Sequence, residues 1–101
     1  CCLLIAPEIG PRVRWVTVLT DAPLTPSGTS IASRCGDCLV CVDVCPANAF
    51  TDEAFRPEDA REVRFDASKC NEYLQAMKET TGHRICGLCL KECPYGKRVD
   101  R

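Results

Sequence analysis

Neither sign of charge dominates this 101-residue chain: 13 Lys and Arg stand against 14 Asp and Glu, for a formal net charge of -1. No Lys/Arg stripe is set apart from the acidic residues, so the electrostatic footprint of a nucleic-acid binder is missing. Long apolar runs are missing too. The opening CCLLI has five apolar residues before Ala6-Pro7 and no basic stretch ahead of it, so it reads neither as a signal peptide nor as a membrane span. The length suits one small domain, and a core of that size buries too little apolar surface to be stable without a staple. What the sequence has in abundance is cysteine, ten residues in all, the composition of a disulfide scaffold or a metal protein. Spacing separates those two better than number does.

Along the chain, Arg12 to Thr20 (RVRWVTVLT) is rich in β-branched and aromatic residues, lies between Gly10-Pro11 and Pro23, and predicts one strand. A strand without neighbours is not stable. Residues 1–30 are therefore expected to be the trailing strand and linker of a truncated preceding α/β domain, with residues 31–101 forming the domain proper. DAPLTPSGTSIASR, residues 21–34, has the composition of the linker. A short helical turn is expected around Val42 to Cys45, and an irregular connection over 50–66 with a short strand at Val63 to Phe65. The clearest helix follows: Asp66 caps, Ala67 to Thr80 propagate and Gly82 terminates. Cys70, Leu74 and Met77 recur at i, i+4 and i+7, which aims Cys70 inward with its apolar neighbours.

Cys35, Cys38, Cys41, Cys45 and Pro46 form C-x2-C-x2-C-x3-C-P, the bacterial ferredoxin run, in which three thiolates wrap one 4Fe-4S cube and the fourth reaches a second. A tight loop containing Gly36 brings the first three sulfurs together, and Pro46, with no N–H and a fixed φ, turns the chain away. Cysteines two or three residues apart make poor disulfide partners. A continuous four-cysteine run closed by Pro is not the paired layout of structural zinc.

The frame recurs 48 positions later with one ligand short: Cys86, Cys89, Cys93 and Pro94 match, and His83 stands where a cysteine is expected. Two residues compete for the vacant position, with a three-iron cluster as the third alternative. His83 has the expected place in sequence; Cys70, 16 residues before Cys86, has the donor such sites prefer and the inward helix face, and is favoured. Crossed ligation then assigns Cys35, Cys38, Cys41 and Cys93 to the first cluster and Cys45, Cys70, Cys86 and Cys89 to the second. Metal binding should supply much of the folding energy. Cys1 and Cys2, next to Leu3-Leu4-Ile5 and far from either frame, read as ordinary buried cysteines, Trp15 as a core aromatic of its strand, and the basic tail Lys97–Arg101 as a solvated end.

Taken in order, PEIGPRVRWVTVLTDAPL, CGDCLVCVDVCPANAF, FDASKCNEYLQ and CGLCLKECPYGKR resemble the iron-sulfur portion of the epoxyqueuosine reductase family and, more distantly, the corrinoid-dependent reductive dehalogenases. The resemblance covers nearly the whole chain, and its most specific element is the remote helix cysteine before a shortened second run. It implies a small α+β, largely irregular, ferredoxin-like fold with an inserted helix carrying one ligand, here Cys70. It further implies two 4Fe-4S clusters that relay electrons from a low-potential donor such as flavodoxin or ferredoxin to a cobalamin-dependent core in the parent protein. Cobalamin is not expected to bind this chain alone, which is not catalytic by itself. The expected setting is cytoplasmic, with no membrane contact. A free-standing ferredoxin-like carrier and a zinc-binding structural module are the rival readings.

Overall fold

The computed structural model describes residues 3–95. Cys1, Cys2 and the basic tail therefore lie outside the described residues. The described residues contain three helices, α1 (Val40–Asp43), α2 (Ala67–Thr81) and α3 (Leu88–Glu92), with a 3-10 turn at Arg61–Val63. The described residues contain no sheet: pairing is confined to two isolated antiparallel bridges, Ala6 with Gly10 and Phe50 with Phe65. The small, largely irregular architecture is as expected, while the β part of the α+β expectation has no sheet behind it among the described residues.

The strand expected over residues 12–20 is not formed. Its β-branched residues have the right propensity, but propensity reflects packing against neighbouring strands, and none lies alongside. Val16 is 86% exposed and Leu19 92%. Val63 to Phe65 is likewise not a strand. Val63 ends the 3-10 turn, and Phe65 makes a single bridge to Phe50.

α2 forms as its sequence dictates. The Asp66 carboxylate accepts from the backbone N–H groups of Ser68 at 2.9 Å and Lys69 at 3.2 Å, satisfying two of the donors that a helix start leaves open. Gly82 ends the helix at φ 80°, a left-handed conformation that a Cβ would strain. Between these caps only Cys70, Tyr73, Leu74 and Met77 of the middle turns are partly covered, so one stripe of the helix is sheltered and the rest is solvated.

The start of α2 is tied to the segment after Pro46. Asp66 N–H donates to the Ala49 carbonyl at 2.7 Å, and Thr51 N–H donates to the Arg64 carbonyl at 3.0 Å. The Phe50 and Phe65 rings lie 5.0 Å apart beside these bonds. On the same connection the Arg64 guanidinium, in a buried residue, sits 4.4 Å over the Phe55 ring. The helix therefore starts at a fixed place relative to the end of the first cysteine run.

The helices α1 and α3 pack against each other. Each follows a cysteine loop, and they begin 48 positions apart, the spacing of the two cysteine frames. Among the described residues the buried hydrophobic positions, apart from Gly10 and Pro11, are Cys41, Ala49 and Cys93, and no large side chain is fully buried. Two of those three are cysteines, so apolar packing alone gives this fold little to hold it together.

Candidate metal centres

The first cysteine loop is closed by Cys38 N–H donating to the Cys35 carbonyl at 2.8 Å, with Gly36 at φ 48°. That geometry turns the chain within three residues and leads into α1, which carries Cys41. Burial raises the Cys41 thiol above its ordinary value, and the nearby Cys35 and Cys38 add to the rise. These three sulfurs therefore share one neighbourhood. Cys93 stands at the end of α3 and is 6% exposed, and α3 is packed on the helix that holds Cys41, itself 7% exposed.

Cys45 leaves this group. It lies beyond the end of α1 and lines a cavity of about 400 Å³ together with Cys70, Cys86 and Cys89. Phe50, Phe65, Tyr73 and Leu74 supply much of the apolar wall. Cys70 reaches this space from the sheltered stripe of α2, Cys86 from the loop before Gly87, and Cys89 from α3. Gly87, at φ 73°, makes the turn between the last two.

The thiols report on one another. Burial is the main cause that raises Cys70, and Cys45 and Cys86 raise it further. Cys89 is raised first by burial; a hydrogen bond from the Leu90 amide opposes that, and Cys86, Cys45 and Cys70 add to it. The Ala49 N–H donates to the Cys45 Sγ at 3.4 Å.

His83 stands apart. It is exposed, its N–H donates to the Thr81 Oγ1 at 3.3 Å, and the Thr81 hydroxyl donates to its carbonyl at 3.3 Å. It is not among the residues that line the cavity holding Cys45, Cys70, Cys86 and Cys89.

Among the described residues no group of three or more His, Cys, Asp or Glu converges on the position of a single ion. A cube of four irons and four sulfides holds its thiolates farther apart than a tetrahedral zinc does, and four cysteines spread round one cavity have the donor chemistry it takes. The residues present fit that group.

Several site residues have no local signature in the sequence. The Arg12 guanidinium donates to the carbonyls of Lys91 at 2.6 Å, Cys93 at 3.0 Å and Tyr95 at 3.1 Å, capping the end of α3 from 79 to 83 residues away. The Tyr95 hydroxyl donates to the Arg34 carbonyl, joining the exit of the second run to the entrance of the first. Arg84 donates to the Asn71 side chain, beside Cys70, and lines the second cavity. One signal does point to Arg84. In the shared frame it occupies the place of Gly36, and a loop with no cysteine at position 83 is released from the tight turn that Gly36 makes.

Residues 34–96 match the family described as 4Fe-4S double cluster binding domain. The chain is 29% identical to epoxyqueuosine reductase of Bacillus anthracis over 98% of its own length and 26% of that protein's. It is 32% identical to tetrachloroethene reductive dehalogenase of Sulfurospirillum multivorans, over 92% of the chain and 20% of the relative. To epoxyqueuosine reductase of Atelocyanobacterium thalassa it is 31% identical, over 97% and 33%. The chain thus spans a third or less of each of these relatives. No solved structure gives a significant match.

Proposed function

Because the chain belongs to the 4Fe-4S double cluster binding domain family, we propose that it is the electron-relay portion of a larger reductase related to the epoxyqueuosine reductases. Cys35, Cys38, Cys41 and Cys93 hold the first cluster, and Cys45, Cys70, Cys86 and Cys89 hold the second. A 4Fe-4S cluster supplies one-electron transfer, and the protein's part is to ligate it, exclude water and set its potential through hydrogen bonds, burial and charge. The observation that carries this reading is that Cys45, from the first run, lines the same cavity as Cys70, Cys86 and Cys89. A run that wrapped its own cube would keep Cys45 with Cys41.

The electrons come from a soluble low-potential donor of the flavodoxin or ferredoxin type and pass to a cobalamin-dependent core supplied by the preceding domain of the same protein. Residues 1–30 belong to that preceding domain. In support, Trp15, Val18 and Leu24 are 62%, 80% and 74% exposed, an apolar surface that a neighbouring domain would cover. No helix among the described residues is long and apolar enough to cross a membrane, and cluster chemistry of this kind suits the cytoplasm.

Anaerobic reconstitution tests the cluster reading. About eight irons and eight acid-labile sulfides per chain are expected, with visible absorption that bleaches on reduction. About four of each contradicts two cubes, and bound zinc without sulfide contradicts the iron-sulfur reading altogether. Reduction of cobalamin bound to the complete protein, lost when Cys70 is replaced, tests the relay.

A further inference from the structure

The hollows beside the two cysteine groups are lined by charges of opposite sign. Beside Cys35 and Cys38 is a hollow of about 440 Å³ lined by three carboxylates, Asp37, Asp52 and Glu53. Arg12, a cation, meets the same cysteine group at the Cys93 carbonyl. The cavity of Cys45, Cys70, Cys86 and Cys89 is lined by two arginines and no carboxylate among the described residues. Of these arginines Arg61 is paired with Glu62 at 3.2 Å, whereas the side-chain partner of Arg84 is the neutral amide of Asn71. The charge of Arg84 is therefore not cancelled by that partner. Adding an electron to a cluster is favoured by a nearby positive charge and opposed by a negative one.

We propose that Arg84, held at the second cavity by Asn71, is a tuning and positioning residue that sets the second cluster at a higher reduction potential than the first. The inference rests on the two-cluster reading above. The hydrogen bond joins the residue next to Cys70 to the residue two before Cys86, so it spans the 70–86 connection at its narrow end and fixes two ligands of one cluster relative to each other. The same bond fixes where the charge sits. The Ala49 N–H on Cys45 acts in the same direction, since hydrogen bonds to cluster sulfurs raise the potential. An electron entering the pair would then come to rest on the second cluster.

The test is a redox titration of the complete protein, loaded with iron and sulfide and followed by electron paramagnetic resonance, with Cys70→Ser used to assign the second cluster's signal. In the parent the second cluster should be reduced first. In Arg84→Gln, which keeps an amide able to bond Asn71 but removes the charge, the electron's preference for the second cluster should fall at least tenfold, about 59 mV for a one-electron couple. The first cluster should not move, and Arg84→Lys should recover most of the loss. Equal shifts of both clusters, or no shift in Arg84→Gln, overturn the proposal. If the Gln variant fails to keep its second cluster, the parent decides: a second cluster reduced together with or after the first overturns it. Iron and sulfide are measured on the same samples, so a parent with only about four of each identifies a failure of the two-cluster reading instead.

Discussion

Cys45 and Cys70 line one cavity although they come from different parts of the sequence, and burial, with the neighbouring Cys45 next, raises the Cys70 thiol. This pairing links the last cysteine of the first run to the helix that interrupts the two runs. It follows from two local features: the chain leaves Cys45 through Pro46, and the Ala49 to Asp66 hydrogen bond sets where α2 begins. With its start fixed, the helix has one sheltered stripe, and Cys70 is on it.

The pairing predicts that Cys45→Ala damages the second cluster while the first keeps all four of its own ligands. Spectroscopy of the reduced variant should show the signal of the first cluster unchanged and that of the second lost or converted to a three-iron form. Loss of the first cluster with an intact second would mean that each run wraps its own cube.

Removing the helix cap should act on the same cluster from a distance. Asp66→Ala leaves the Ser68 and Lys69 amides without their carboxylate and should cost about 1 kcal/mol, whereas Asp66→Asn should cost much less. Chemical denaturation of the loaded protein measures the difference. Because the first turns of α2 carry Cys70, the Ala variant should also release iron from its second cluster faster than the parent. Equal stability and equal release in the Ala variant would contradict this role of the cap.

Arg12 joins the opening segment to the end of α3 through three carbonyls. Arg12→Ala should destabilise the loaded protein by about 1 kcal/mol, a value kept low because most of these bonds are exposed. Lys in its place should restore only part, since an ammonium lacks the planar fork that reaches several acceptors at once. Hydrogen exchange should show the greatest loosening at Lys91 to Cys93.

Much of the candidate site was legible from spacing. The two frames, the capped helix and the inward stripe of Cys70, Leu74 and Met77 all rest on short-range rules, and the folded chain has them: α2 runs to Thr81, one residue past the expected Thr80. The strand expected at residues 12–20 does not form among the described residues, because its composition describes a surface that packs against other strands and none of them lies beside it. The bonds from Arg12 to Cys93 and from Arg84 to Asn71 were invisible for a different reason. Arginine tolerates solvent at almost any surface position, so nothing in its local sequence tells which carbonyl or amide it will meet after folding.

In the proposed assignment a thiolate from α2, and not the imidazole at position 83, completes the second cluster. Iron and sulfide analysis of reconstituted Cys70→Ala and His83→Ala, read beside the parent, tests it most directly. His83→Ala should keep about eight irons and an unchanged spectrum, because His83 is exposed and, among the described residues, bonds through its backbone to Thr81. Cys70→Ala should lose the second cluster or keep it with three irons, and should unfold more readily because Cys45, Cys86 and Cys89 lose their metal. A His83 variant that loses the cluster, with a Cys70 variant that keeps eight irons, would make the histidine the ligand in place of Cys70.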